Sequence, residues 1–345
     1  MIKISIIVPI YKVRDYIERC IDSIINQESV NFALECIFVN DCTPDDSMEI
    51  VTRKIDNYNG KIDFVVINHD RNMGLSASRN TGVKFAKGDF VFFLDSDDWL
   101  ETKALEYLID GDYCVANCPR VDVIMGNSFV CKINQSAINI KTDTYLLLDN
   151  NKEMALQKLL SRELFHTAWN KLVRRDLLLC HDISFEEGIV DEDLLWSYYV
   201  FLNAKGVLVK PGITYIYEDN PGSIMNTTSD IIVNRINSRI IICKRLLSSP
   251  PKLSFVEFYL YVFFILTRAI NLYESNINDV ALRDLEDNLF AIRNRLLDEV
   301  RRKRFFWLYL FFMTSKRPFY FINNCRWFRR YYDRIVKCVM RISKL

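Results

Sequence analysis

The sequence predicts an α/β fold, in which a doubly wound, mostly parallel sheet is followed by a helical C-terminal extension. Strand-like and helix-like patterns alternate four times within roughly the first 95 residues. This alternation is typical of a parallel sheet with helices on both faces. From about residue 230 onward the apolar residues recur at helical spacing and no strand pattern follows.

Each element of the alternating region has its own signal. Runs of β-branched and aromatic residues predict four strands, and apolar residues at helical spacing predict the helices between them. Asp45 is placed to cap the second helix, and Gly88 lies just past the end of the third. The predicted strands are Ile4–Pro9, Ala33–Val39, Ile62–Ile67 and Phe90–Leu94, and the predicted helices are residues 17–24, 45–58 and 75–86.

The middle of the chain has a looser pattern that mixes short strands with helices. We expect helices near residues 152–161 and 191–202, and short strands at Val121–Met125, Val207–Val209 and Ile213–Tyr217. We find no internal repeat or low-complexity linker. The chain is divided where the secondary-structure pattern changes, into residues 1–105, 106–230 and 231–345.

The composition is that of a globular protein with a sizeable core, since half of the 345 residues are hydrophobic. Ten cysteines occur singly, no CxxC pair exists and no secretory signal opens the sequence. These features predict reduced thiols and a cytoplasmic location. No apolar run reaches the roughly 20 residues that span a membrane, because Leu253–Leu266 has 14 residues and contains Glu257.

Residues 301–345 form a basic tail with a net charge of +12, whereas the rest of the chain has a net charge of −11. Arginine and lysine alternate there with Phe, Trp and Tyr, which is typical of a segment that lies on an anionic membrane surface. The tail thus predicts a peripheral position on the inner face of the cell membrane. Docking on the acidic body of the same chain and binding of RNA are the alternatives, and no nucleic-acid partner is expected.

Polar residues follow three of the four predicted strands. They lie at Asn40–Asp46, Asn68–Gly74 and Asp95–Asp98. Ligands of an open parallel sheet bind beyond the carboxyl ends of its strands. This edge of the sheet is therefore the expected binding site.

The segment Asp95-Ser96-Asp97 predicts a site for a divalent cation. Two carboxylates at positions i and i+2 can share one Mn²⁺ or Mg²⁺, and substrate phosphates complete the coordination of such ions. The sequence has neither a G-x-G-x-x-G motif nor a P-loop. We therefore expect a metal and side chains, rather than a glycine cradle, to contact phosphates.

Four segments together resemble the inverting family 2 glycosyltransferases of GT-A fold. They are Ser5–Tyr11 (SIIVPIY), Val39–Asp41 (VND), Asn72–Gly82 (NMGLSASRNTG) and Phe93–Asp98 (FLDSDD). The resemblance is dense over residues 3–100. It continues more thinly to about residue 225 through Trp169–Leu172 (WNKL), Glu192–Trp196 (EDLLW) and Ser223-Ile224.

The resemblance implies a role for each matching position of the donor site. Pro9 and Tyr11 would line the pocket for the nucleobase and ribose, and Asp41 would accept a hydrogen bond from the base. The remaining donor-binding positions are Arg79, Asn80, Asp95 and Ser96. Residues 1–105 would thus form the nucleotide-sugar half of a GT-A domain and residues 106–230 its acceptor half.

The reaction implied by the resemblance moves a sugar, most readily UDP-linked, onto a hydroxyl of a saccharide or lipid-linked saccharide. Asp97, with Asp95, would hold the metal that assists the leaving group. Asp193 would be the general base, beside Glu192, and its acidic neighbours would raise its pKa. The enzyme class would be an inverting hexosyltransferase of polysaccharide biosynthesis. A catalytically inactive protein that binds nucleotide-sugars or glycans on the same fold is the alternative.

Two departures from the family pattern stand out. Cys42 occupies a position where relatives usually have glycine, so the turn after the second strand is expected to differ. Acidic residues in Tyr217–Pro221 replace the arginine that relatives often have there.

Several side chains also have plain structural interpretations. Residues 191–193 could be the acidic first turn of a helix, and Arg79 could be a solvated surface residue. Trp169 could belong to the core or form a wall of the sugar site. The histidines, His69, His166 and His181, are isolated, so each is expected to be a surface or core residue.

Overall fold

The computed structural model describes residues 1–27, 29, 31–111, 121–131, 146–147, 152–218, 229–251, 256–276 and 285–303. The chain forms two compact units, which we call unit 1 (Met1–Asn226) and unit 2 (Thr227–Leu345). The boundary predicted near residue 105 lies inside unit 1. The segment 219–228, including Asp219–Pro221 and Ser223-Ile224, lies outside the described residues, as do residues 304–345 of the basic tail.

The alternating pattern of the first 95 residues is present in unit 1 as predicted. The parallel strands have β-branched and aromatic cores, and each helix buries one apolar face; α1, for example, buries Ile17, Ile21 and Ile24. The elements are β1 (Ile2–Ile10), α1 (Arg14–Ile25), β2 (Phe32–Asn40), α2 (Ser47–Asp56), β3 (Asp63–Asn68), α3 (Leu75–Phe85) and β4 (Phe90–Phe93).

The rest of unit 1 adds five strands and four helices among the described residues. They are β5 (Trp99–Leu100), α4 (Ala104–Ile109), β6 (Val123–Cys131), β7 (Leu146–Leu147), α5 (Lys152–Leu160), β8 (Lys171–Arg174), α6 (Arg175–Cys180), α7 (Glu192–Asn203) and β9 (Val207–Glu218). The prediction of two separate strands at 207–209 and 213–217 was wrong. The chain continues through Pro211-Gly212 as one strand, with a register irregularity against β6.

The sheet order is β3-β2-β1-β4-β8-β6-β9-β5, with β7 paired to β9. The first four strands are parallel, and β8 is antiparallel to β4, with Leu172 opposite Phe92. The segment before β8 therefore lies at the same edge of the sheet as the segment after β4. The predicted fold class, an α/β fold with a mostly parallel sheet, is confirmed.

Close packing of α3 against β1 fixes the helix that lies at this edge. Residues 4–10 of β1 are all buried, and a Cβ atom at Gly82 of α3 would lie 2.3 Å from Ile7 Cγ2. Only glycine allows so close an approach without a shift of the helix. The residues of α3 that precede Gly82 are thus held rigidly over the sheet edge.

Unit 2 is helical in its described residues, with α8 (Ser229–Ser248), α9 (Val256–Ser275) and α10 (Glu286–Arg302). Within the described part of the chain, α9 alone is long and apolar enough to cross a membrane, by length and composition. It exceeds the 14-residue apolar run noted in the sequence, and 72% of its apolar window is buried in the structure. Such burial is typical of a core helix as well.

Candidate functional site

The carboxyl edge of the parallel strands carries the residues that the sequence assigned to donor binding. Tyr11 follows β1, and its side chain is exposed at this edge. Pro9 is buried within β1, opposite Val39 of β2. Of these two predicted pocket residues, Tyr11 is the one that offers a ring to a ligand.

Asp41 organises the loop that precedes α3. Its Oδ1 accepts a hydrogen bond from the Met73 N–H (2.8 Å) and its Oδ2 accepts one from the Gly74 N–H (2.7 Å). Gly74 has a φ of 89°, a left-handed conformation that favours glycine. Because the Asp41 side chain is only 4% exposed, it holds this loop in place, and its contact with a nucleobase stays a prediction.

His69 is a member of the site that the sequence did not reveal. Its side chain is buried, as that of a core histidine would be, but its Nδ1 donates to Asp41 Oδ1 at 2.8 Å and its Nε2 lies 3.0 Å from Thr81 Oγ1. An ionised carboxylate can only accept, so Nδ1 carries the hydrogen of the bond to Asp41. The position of His69 directly after β3 was the available signal.

Cys42 adopts a φ of 55°. This is the left-handed region, where a side chain costs about 1–2 kcal/mol and glycine is favoured. The backbone thus keeps a conformation suited to glycine although the residue is cysteine. A difference between this turn and that of relatives stays a prediction.

Arg79 lies at the centre of the site and is fully buried. Its Nη2 donates to Asp95 Oδ1 (2.7 Å) and its Nη1 donates to Glu192 Oε1 (2.6 Å). Burial opposes its charge, but the carboxylates of Asp95 and Glu192 outweigh burial and raise the Arg79 pKa above its ordinary value. The interpretation of Arg79 as a solvated surface residue was wrong. The guanidinium joins the end of β4 to the start of α7.

Asn80, the next residue of α3, holds the segment that leads to α7. Its Nδ2 donates to the Phe185 carbonyl (2.9 Å) and its Oδ1 accepts from the Phe185 N–H (2.8 Å). Nδ2 also lies 3.2 Å from Glu187 Oε1. A donor contact by Asn80 stays a prediction.

The acidic segment after β4 divides into partly exposed and locked carboxylates. The side chain of Asp95 is 23% exposed, Asp97 is partly exposed and Ser96 is buried. Asp98 is buried, and its two oxygens accept from the Tyr215 hydroxyl (2.6 Å) and from the Glu218 N–H (2.8 Å). Asp95 and Asp97, at positions i and i+2, are thus the partly exposed pair of this segment.

The acids at the start of α7 face the same site. Asp191 precedes the helix with a φ of 60°. The pKa of Asp193 is raised to about 7, first by burial and then by the charges of Glu192 and Asp191, while Arg79 and Lys171 oppose the rise. Such a carboxyl can accept a proton near neutral pH. The sequence anticipated the effect of the acidic neighbours but not that burial would contribute most.

Two residues of the WNKL segment also lie at this edge. Lys171 is completely buried at the start of β8. Trp169 is partly buried and stacks on the ring of buried Tyr215, with centroids 4.6 Å apart, and on Tyr217 at 5.9 Å. Trp169 therefore packs on the core and also retains some exposure at the edge of the sheet.

A metal site can be assessed only over the described part of the chain. There, no three His, Cys, Asp or Glu side chains come together as ready metal ligands. Two carboxylates are nevertheless sufficient for Mg²⁺ or Mn²⁺ when substrate phosphates and water supply the other ligands. Asp95 and Asp97 fit this requirement chemically.

Comparison with known proteins identifies the family. The sequence model of glycosyl transferase family 2 matches residues 5–181, a span that contains most of β1, all of β2 to β4, the Asp95–Asp98 segment and β8. The chain belongs to glycosyl transferase family 2. The predicted family and enzyme class, a glycosyltransferase, are thereby confirmed.

Relatives of this family 2 glycosyltransferase extend the match. The uncharacterised glycosyltransferase EpsJ of Bacillus subtilis is 30% identical over 230 residues, which cover 64% of this chain and 62% of EpsJ. The cholesterol galactosyltransferase of Borreliella burgdorferi is 28% identical over 320 residues, which cover 87% of this chain and 83% of that protein. The chain thus spans about 62% of the length of EpsJ.

A solved structure confirms the GT-A fold of this family 2 glycosyltransferase. Residues 1–349 of Staphylococcus aureus TarS, crystallised with UDP-GlcNAc, superpose with a TM-score of 0.64 at 22% identity. The match covers 91% of each chain. At this identity the similarity shows the fold.

Proposed function

We propose that this enzyme transfers a hexose-type sugar from a UDP-linked donor to a hydroxyl of a saccharide or lipid-linked saccharide, with inversion. One observation carries the proposal: buried Arg79 joins Asp95, beside the predicted phosphate site, to Glu192, the neighbour of Asp193. The residues proposed to assist the leaving group and the residue proposed as base therefore lie at the same edge of the sheet. That TarS was crystallised with UDP-GlcNAc supports the choice of donor.

Asp97 and Asp95 would hold a Mn²⁺ or Mg²⁺ ion in this proposal. When bound, the ion would neutralise negative charge that develops on the diphosphate leaving group, an effect worth several kcal/mol. Arg79 holds the Asp95 carboxylate in place through its hydrogen bond at 2.7 Å. Tyr11 would stack beside the nucleobase, while Asp41 and His69 hold the Met73–Gly74 loop that borders it.

Asp193 would act as the general base. One of its oxygens takes the proton of the acceptor hydroxyl while that hydroxyl oxygen forms a bond to the anomeric carbon. The bond between the anomeric carbon and the diphosphate oxygen breaks, and nucleoside diphosphate leaves. A carboxylate with a pKa of about 7 suits this role near neutral pH and typically contributes ~10²–10⁴-fold.

Inversion follows if the base and the leaving group lie on opposite faces of the sugar, because a single displacement then reverses the anomeric configuration. Arg79 lies between Asp95, after β4, and Glu192, the α7 neighbour of Asp193, and this spacing of the two acidic segments supports the arrangement. We propose that the product belongs to a polysaccharide or another glycan.

We also propose that the enzyme works in the cytoplasm, on the inner face of the cell membrane, where a lipid-linked acceptor would be present. The +12 charge of residues 301–345 and their aromatic side chains support this location. A relative that glycosylates cholesterol, and that matches 87% of this chain, is consistent with a lipid acceptor. Deleting residues 304–345 should abolish sedimentation with anionic vesicles. A truncated chain that still sediments would contradict the membrane role.

Turnover with a panel of UDP-sugars tests the enzymatic proposal. UDP release is measured with Mn²⁺ and with EDTA, and donor binding is followed by thermal stabilisation. Asp193→Asn should keep donor stabilisation and lose turnover, whereas Asp97→Ala should lose metal-dependent stabilisation. Asp176→Asn, in the exposed first turn of α6, and Asp63→Ala, with a 72% exposed side chain at the start of β3, are the controls. Full turnover by Asp193→Asn would refute the assignment of the base.

A further inference from the structure

Lys171 is a completely buried lysine at the sheet edge that carries the proposed base. Its Nζ donates to the backbone carbonyl and, at 3.1 Å, to the hydroxyl of Thr167. Within the described residues, no carboxylate forms an ion pair with this Nζ within 4.0 Å. Burying an ammonium group without a paired anion is costly. A lysine at this position therefore needs a reason beyond packing.

Asp193 has the complementary property. Among the described residues, its carboxylate forms no hydrogen bond and no ion pair within 4.0 Å. The nearby guanidinium of Arg79 is already engaged by Asp95 and Glu192 through its two terminal nitrogens. Both oxygens of Asp193 can thus contact a substrate hydroxyl. The negative charge of the carboxylate must then be stabilised by a cation that does not bind it directly.

The elements that carry Lys171 and Asp193 are tied together. Ser197 of α7 donates its hydroxyl hydrogen to the His166 carbonyl at 2.6 Å. That carbonyl lies in the segment that leads into β8. This contact holds α7 against the turn that also supplies Thr167.

The charged groups that face Asp193 are few. Asp191 and Glu192 come from its own helix, Arg79 from α3 and Lys171 from β8. The influence is mutual: burial lowers the pKa of Lys171 to about 7, and the charge of Asp193 opposes that fall. Lys171 is thus the cation in this group that no carboxylate contacts directly in the described structure.

We propose that Lys171 is a positioning residue that keeps Asp193 ionised from a distance, and so leaves both carboxylate oxygens free to accept the proton of the acceptor hydroxyl. The inference rests on the proposed role of Asp193 as base. A direct salt bridge would stabilise the same charge but would occupy an oxygen. Because the Lys171 ammonium group is hydrogen-bonded to Thr167, it does not compete with the acceptor hydroxyl for an oxygen of Asp193.

A double-mutant cycle of Lys171→Met and Asp193→Asn tests this coupling without substrate. We expect the two changes to be coupled near pH 7, by at most about tenfold in the unfolding equilibrium constant, since one pKa unit corresponds to tenfold and both groups are only partly ionised when their pKa values lie near 7. The coupling should disappear at pH 5, where Asp193 is protonated, and at pH 9, where Lys171 is neutral.

Lys210 provides the matched control. It is also a buried lysine of unit 1, at 4% exposure, and its Nζ donates to the carbonyls of Tyr107 (2.6 Å) and Asp110 (2.5 Å). The cycle of Lys210→Met with Asp193→Asn should show no coupling. Absence of coupling for Lys171, or equal coupling for Lys210, would overturn the proposal.

A second measurement tests the same interaction without the Lys171→Met variant, in case that variant does not fold. With ¹³Cε-labelled lysine, wild-type enzyme should show a resonance that titrates near pH 7, well below ordinary lysines. In Asp193→Asn its midpoint should fall by about one pH unit. An unchanged midpoint would reject the inference.

Turnover of UDP-GlcNAc with Mn²⁺ as the probe separates this inference from the proposed function. The acid limb of kcat/KM should move up by about one pH unit in Lys171→Met and stay in place in Lys210→Met. If Lys171 and Asp193 are coupled in stability but Asp193→Asn leaves turnover unchanged, the assignment of Asp193 as base is wrong, whereas the electrostatic interaction between the two residues is supported. If turnover requires Asp193 but Lys171 and Asp193 are not coupled, the inference about Lys171 is wrong and the proposed function is unaffected.

Discussion

Replacing Arg79 by methionine tests the central electrostatic contact of the site. The Arg79 side chain is 3% exposed, and the carboxylates that it binds, Asp95 and Glu192, are 23% and 11% exposed. Methionine is of similar length and fills much of the space. The change therefore removes the cation while leaving both anions and most of the packing.

The expected loss of stability follows from these exposures. Removing one partner of a buried ion pair costs about 3–5 kcal/mol, because an uncompensated charge stays buried. Asp95 keeps some contact with water, which lowers its share. We therefore expect a loss of ~3 kcal/mol, a large fraction of the 5–15 kcal/mol typical of a folded domain.

The loss should depend on pH. Protonation removes the uncompensated negative charge in the variant, so the difference from wild type should shrink between pH 7.5 and pH 4.5. Urea unfolding of the full chain at both values, read by tryptophan fluorescence, measures it. Glycosyl transfer should fall as well, since Asp95 and α7 lose their shared anchor.

Arg175→Met is the matched control, because the Arg175 side chain donates to the carbonyls of Gly88 (3.0 Å) and Ala86 (3.2 Å) and, among the described residues, pairs with no carboxylate. Its loss of stability should be the same at both pH values. If Arg79→Met destabilised the protein by less than about 1 kcal/mol, or equally at both pH values, Arg79 would not be neutralising Asp95 and Glu192.

Three further predictions concern single side chains. The pKa of Asp193, raised to about 7, predicts that kcat/KM rises with pH up to about 7 and then levels, because the base must be deprotonated; a limb near pH 4 would contradict it. Cys42→Gly should stabilise the protein by about 0.5–1 kcal/mol by relieving the left-handed φ of 55°, whereas Cys180→Gly, at the end of α6, should destabilise it; equal thermal shifts of the two variants would argue against strain at Cys42. Glu35 is buried and accepts from the Ser5 hydroxyl and the Lys87 and Gly88 N–H groups; although burial raises its pKa, these contacts and Lys3 lower it overall. Its ionised form therefore adds stability above the pKa of about 4.5 for an unfolded glutamate, and this is lost as pH falls further. Glu35→Gln should lose about 1.5–3 kcal/mol at pH 7 and little at pH 3, measured by urea unfolding, and a loss independent of pH would be the contrary result.

Sequence patterns predicted the first half of unit 1 well because its signals are local. The strands and helices from β1 to β4 each carry their own periodicity, and the polar residues at their ends fall at one edge once the strands are parallel. The later strands were harder to predict. β8 has four residues, too few for a pattern, and β9 runs through Pro211-Gly212, which normally end a strand.

The partners within the site were decided by tertiary structure. Arg79 and Glu192 are 113 positions apart in the chain, and no local pattern predicts that one guanidinium binds both Glu192 and Asp95. The contact of His69 with Asp41 and the locking of Asp98 by Tyr215 also join distant segments. In the sequence Asp98 is one of several acids in a motif. Only the structure shows that both of its oxygens accept hydrogen bonds from Tyr215 and Glu218.

The sequence by itself determined the family, the parallel sheet and the sheet edge that carries the candidate site, because these depend on residue types and spacings within short segments. The tertiary structure decided which carboxylates are exposed, which are paired and which are raised in pKa. Burial and Coulomb energy depend on distances between segments that are remote in sequence. Lys171 illustrates the difference. The sequence shows it only as a residue of the WNKL segment, whereas the structure shows that its side chain is completely buried.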